Sequence, residues 1–134
     1  MLSIKTREDE CRPMKRENTY EYDAAERAME RTKSSLMDAI VERDDAARKE
    51  VGVWGLEMEA KNAFDTIIEK EGYNSSACKL AQHVLERASI ATKKAIVERD
   101  DAAIKEVDAW ALDMMAKNTF AIEMKKSAKR DSVE

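Results

Sequence analysis

The residues best suited to chemistry are acids that recur in pairs. Asp44-Asp45 and Asp100-Asp101 each follow a Glu-Arg step, in a segment AIVERDDAA found at 39–47 and again at 95–103. Two neighbouring carboxylates suggest general acid–base work, which needs both groups within reach of one substrate. Adjacent residues on a helix project about 100° apart, so these carboxylates diverge. The spacing suits a structural role better. Asp44–Arg48, Asp45–Lys49, Asp101–Lys105, Glu57–Lys61 and Asp113–Lys117 each place an acid four residues before a base. On a helix surface such a pair contributes about 0.2–0.5 kcal/mol.

The other candidate groups are isolated. His83 is the only histidine, and its step His83-Val84-Leu85-Glu86 reverses the Glu-x-x-His order of bundle di-metal sites. The matching position 56 residues earlier is Arg27. One histidine cannot supply the paired ligands of such a site, so no metal is predicted. Cys78 falls at a helix start, where a thiolate is favoured, but a small apolar residue in a first turn is the simpler reading. There is no glycine-rich phosphate loop, no G-x-S-x-G and no cysteine beside the histidine. The sequence therefore predicts a protein with no catalytic residue, no cofactor and no enzymatic activity.

Charge excludes further classes. The 24 basic and 28 acidic residues are interspersed and give a net charge of −4. That leaves no basic stripe for a nucleic acid and no acidic surface of the kind that mimics one. No apolar run approaches the roughly 20 residues that span a bilayer, and the N-terminus lacks the apolar region of a secretory signal. Cys11 and Cys78 form no CxxC pair, which points to a reduced, intracellular and cytoplasmic setting.

The elements that carry these residues are helices. Charged residues make up 39% of the chain and aromatics 5%, with three glycines and one proline, a composition that favours long helices over sheet. Residues 1–18, which contain Pro13, read as a polar N-terminal arm. Residues 19–128 read as a duplicated helical hairpin: repeat one at about 25–70, a turn at 71–76, and repeat two at about 77–126. Asn18 or Thr19 suits the first N-cap, Asn74 or Ser75 the second, and Gly72 the residue just past a helix end. A polar tail, 127–134, is expected to fray. From Ala39 to Phe64 against Ala95 to Phe120, 19 of 26 positions are identical.

Gly52 and Gly55 flank Trp54, and each costs about 1 kcal/mol relative to alanine inside a helix. The second copy reads Asp108 and Ala111 at these places, so the first helix is expected to run on unbroken. The glycines are free to admit a close neighbour. Ile40, Arg43, Ala47 and Val51 step by three, four and four, an eleven-residue spacing that locally unwinds a left-handed supercoil.

A short connection makes the two helices antiparallel neighbours, with Ala39 to Ala47 opposite roughly Asp100 to Asp108. The predicted apolar face consists of Leu36, Ile40, Ala47, Val51, Trp54, Met58 and Phe64, with Ile96, Ala103, Val107, Trp110, Met114 and Phe120 in the second copy. The tryptophans and phenylalanines are expected to pack as core. Arg43 and Arg99 fall near this line, where a polar group can set register or lay its stem along the seam and send its head to water. The face is wider than a two-helix hairpin can cover. The fold class is thus all-α: an antiparallel hairpin of two long duplicated helices that dimerises into a four-helix bundle or coiled coil. The implied function is a protein–protein interaction or assembly module that self-associates as a homodimer. The alternative is a small adaptor or inhibitor docking on another protein of unknown identity. Over about a dozen residues per copy, the ERDDAA runs resemble the coiled coil of the plant GAGA-binding, pentacysteine transcription factors. The cysteine-rich DNA-binding region of that family has no counterpart in this sequence, and no function follows from the likeness.

Overall fold

The computed structural model describes residues 19–133. The arm at 1–18, with Cys11, Pro13 and the cap candidate Asn18, lies outside them. The described chain is an all-helical hairpin. Helix α1 runs Tyr20–Glu71 and helix α2 runs Ser76–Val133, with no strand among the described residues. The sequence ends the second helix near Lys126, whereas α2 continues to Val133. Its last stretch carries Lys125, Lys126, Lys129 and Arg130, which complement the negative end of the helix dipole.

The helix ends follow from local chemistry. Thr19 caps α1: its Oγ1 accepts from the Tyr22 N–H at 3.2 Å, and Glu21 and Asp23 occupy the first turn. Gly72 ends α1 with φ +79°, and its N–H bonds the Ile68 carbonyl at 3.0 Å. This is the left-handed stop that a side chain with a Cβ resists. Ser75 then starts α2, its Oγ accepting from the Cys78 N–H at 3.0 Å and donating to the Gly72 carbonyl at 3.1 Å.

Helix α1 passes through Gly52 and Gly55 without a break. A Cβ at either glycine would meet nothing within 4 Å, so neither admits a close neighbour.

The chain divides into two compact units, each made of a piece of both helices: residues 38–107, and residues 19–37 with 108–133. In the first, the helices meet along a strict three–four spacing. The α1 side of that seam is Ala39, Arg43, Ala46, Glu50, Val53, Glu57, Ala60, Phe64 and Ile67. The α2 side is Cys78, Ala81, Leu85, Ala88, Thr92, Ala95, Arg99, Ala102 and Glu106. All of these are buried or half-buried. The most enclosed are small: Ala39, Ala60, Cys78, Ala81, Ala95 and Ala102. Alanines allow helix axes to approach closely. The 56-residue offset is a whole number of heptads, so both copies present the same positions to the seam.

In the second unit the seam is Tyr22, Ala25, Met29, Thr32 and Leu36 against Ala109, Asp113, Ala116, Phe120 and Glu123. The rings of Tyr22 and Phe120 lie 5.3 Å apart with a 53° tilt, a favoured aromatic geometry.

Candidate functional site: a one-sided apolar flank

Two symmetric ion pairs mark the seam of residues 38–107. Arg43 Nη1 donates to Glu106 Oε1 at 2.9 Å, and its Nη2 donates to Asp44 at 3.1 Å. Arg99 repeats the arrangement, with Nη1 donating to Glu50 Oε1 at 2.9 Å and Nη2 to Asp100 at 3.1 Å. Arg99 Nη1 also lies 2.8 Å from Glu50 Oε2, a buried oxygen that accepts no hydrogen bond. The hydrogen bond from each arginine to the following aspartate, then the charge of the facing glutamate, raises both guanidinium pKa values. Both arginine side chains remain about two-fifths exposed. Their heads bond a glutamate of the facing helix at the rim of the seam.

On one side of this seam the unit carries cross-helix ion pairs, with Leu56 and Val84 exposed further along the same flank. Lys49 Nζ donates to Glu98 at 2.9 Å and Lys105 Nζ to Glu42 at 3.0 Å. The Lys49 hydrogen bond lowers the pKa of Glu98 against the opposing effect of burial, and the Glu42 bond raises that of Lys105. These contacts correct the same-helix pairing expected from spacing. Lys49 and Lys105 reach across the hairpin instead of back to Asp45 and Asp101, because the seam is narrow enough to span. Arg48 bonds Asp45 three residues back, at 3.3 Å. Asp113–Lys117 does form as expected, at 3.0 Å.

On the other side the unit is apolar. Trp54, Val51 and Ile96 line a cleft of roughly 320 Å3 whose remaining walls are Glu50, Thr92 and Arg99. Thr92 is buried, and its hydroxyl donates to the Ala88 carbonyl at 3.1 Å. Trp54 is 55% exposed, Val51 67% and Val107 62%, with Met58 and Ile96 each more than a third exposed. Ile40, Ala47 and Ala103 are half-buried beside them.

The tryptophans expected to pack as core are exposed in the single chain, Trp54 on this flank. Trp110, in the other unit, is 56% exposed, and Met114 is exposed with it. Only Leu36, Phe64 and Phe120 of the predicted apolar face enter the seam, and they are half-buried. Trp54 falls one residue past the seam position Val53, and Trp110 one past Ala109, so both indoles sit outside the line of closest packing. The eleven-residue step from Ile40 to Val51 mixes seam and flank positions, while the seam itself keeps strict heptads. In the sequence the two lines are alike in being apolar. The alanines at every seventh position of α2, from Ala81 through Ala116, were the signal that separates them.

The isolated groups stay isolated. His83 is exposed, with Nδ1 3.8 Å from a Glu86 oxygen, and Cys78 is a buried seam residue. Among the described residues, no group of three or more His, Cys, Asp or Glu is placed to hold a metal ion. No helix among them is long and apolar enough to cross a membrane. Comparison with family models, with curated proteins and with solved structures gave no match for this chain.

Proposed function

We propose that the chain is a non-enzymatic helical assembly module that self-associates through its repeated apolar face into a homodimeric four-helix bundle. The observation that carries this reading is the exposure of Trp54 and Val51 beside a seam filled by alanines. In soluble proteins a contiguous apolar patch of several hundred Å2 marks an interface, and here the hairpin's own packing leaves the largest apolar side chains outside. Trp110 and Met114 repeat Trp54 and Met58 on the second helix, so each unit exposes a tryptophan and a methionine of its own. Sedimentation of the pure protein tests the reading. A species of twice 15.2 kDa is expected at micromolar concentration. A monomer there would leave the adaptor reading, in which the same face takes a different protein.

A further inference from the structure

We infer that residues 72–75 are a hinge at which the chain straightens into one helix, and that two straightened copies re-form the seam of residues 38–107 between chains. This goes beyond the proposed function. The exchange uses the seam and not the Trp54 flank, so either can fail without the other.

The phase of the seam carries this inference. On α1 the seam ends at Phe64 and Ile67, and on α2 it begins at Cys78 and Ala81. The same three–four spacing, continued from Ile67, falls on Glu71, Asn74 and then Cys78 itself. A hairpin needs no such agreement, because its corner joins two helices in any phase. One helix running through the corner would carry a single unbroken seam line. That line is also self-complementary in charge when two chains run antiparallel. Within the hairpin Arg43 bonds Glu106 and Arg99 bonds Glu50, each at 2.9 Å. Between two straightened chains each arginine meets the same glutamate of the other copy. The offset that brings the Thr92 hydroxyl to the Val53 carbonyl at 3.4 Å sets Asn74 opposite Glu71 of the second chain. Both are exposed at the hairpin's corner, and a carboxamide N–H donates to a carboxylate.

Exchange therefore keeps the seam's contacts, and the balance is decided at the corner and by concentration. Only residues 72–75 lie outside the helices there. Two features hold them bent. One is Gly72, at φ +79°. The other is the Ser75 hydroxyl, which accepts from the Cys78 N–H and donates to the Gly72 carbonyl. A Cβ on Gly72 would meet nothing within 4 Å. Gly72→Ala thus acts on backbone preference alone, against the left-handed stop and for the helix.

The cross-helix ion pairs supply the test. Lys49 Nζ lies 2.9 Å from Glu98 and Lys105 Nζ 3.0 Å from Glu42, so a carbodiimide joins each pair as an amide. Isotope-labelled and unlabelled full chains are unfolded together in urea, refolded at about 1 to 100 μM and cross-linked. Mass spectrometry then reads the Lys49–Glu98 and Lys105–Glu42 peptides. Closed hairpins give peptides of one isotope, and exchanged chains give mixed ones. The expected result is mixed peptides in the unaltered protein that grow with concentration. At the lowest concentration they should be about tenfold or more abundant in Gly72→Ala. They should be unchanged in Gly52→Ala, which lies within α1 away from the corner. Mixed peptides that are absent from the unaltered protein, or insensitive to Gly72→Ala, would overturn the exchange and leave association through the Trp54 flank untouched.

Discussion

At the scale of single residues, Asp113 has the most to lose. It is 1% exposed, in a seam position where its neighbours one step either way, Ala109 and Ala116, are alanines. Thr32 Oγ1 donates to its Oδ1 at 3.1 Å and Lys117 Nζ lies 3.0 Å from its Oδ2. The Lys117 hydrogen bond leads in lowering its pKa, helped by Thr32 and by the charge of Lys33, and outweighs the opposing effect of burial. A carboxylate held below its ordinary value contributes stability that is present above about pH 4 and lost as pH falls through the folded value. The melting temperature is therefore expected to drop as pH falls below about 4, and Asp113→Asn should flatten that drop while lowering stability at neutral pH. Thermal melts across this range check both. Gly72 offers a second handle. With φ at +79° and open space around its Cβ position, Gly72→Ala meets only backbone strain, about 1–2 kcal/mol, read in a urea titration.

At the scale of elements, the seam raises a question of register. Ala81, Ala88, Ala95, Ala102, Ala109 and Ala116 repeat at every heptad of α2, so sliding one helix by seven residues exchanges alanine for alanine. Charge then has to choose the register. A slip one way sets Arg43 against Arg99; a slip the other way sets Glu50 against Glu106, though it also brings Arg43 to Asp113 and Arg99 to Glu57. The observed register alone gives both Arg43–Glu106 and Arg99–Glu50. Of the three, only the observed register opposes no like charges along the seam. Reversing Arg43→Glu is expected to lower the melting temperature, and adding Glu106→Arg should recover it, with the pair's coupling read from a double-mutant cycle. The helices, the corner at Gly72 and the antiparallel offset were legible in the sequence, because caps, breakers and a 56-residue duplication are local or self-evident signals. Which apolar line faces inward was not. Ile40, Val51, Trp54 and Met58 outweigh alanine in hydrophobicity, and only the packing shows that the small residues define the closest approach. Gly52 and Gly55 show how little the duplication constrains such positions. With nothing near their Cβ sites, Gly52→Ala and Gly55→Ala should each stabilise α1 by about 0.5–1 kcal/mol.

At the scale of the whole molecule, the proposed assembly requires one substitution to mean different things in the hairpin and in the dimer. Trp54 is more than half exposed in the single chain. Truncating such a surface residue ordinarily changes stability by no more than about 0.5 kcal/mol. A tryptophan at the centre of an interface belongs instead to the class whose loss costs about 2 kcal/mol or more. In the proposed dimer only the folded state would pair, so association would stabilise by mass action and make the melting temperature rise with protein concentration. The unaltered protein is therefore expected to melt progressively higher from about 1 to 100 μM, whereas Trp54→Ala should melt at nearly one temperature throughout. At the lowest concentration, where pairing contributes least, the two curves should nearly coincide. A Trp54→Ala protein that is equally destabilised at every concentration would place that side chain in the hairpin's own folding and not in its association.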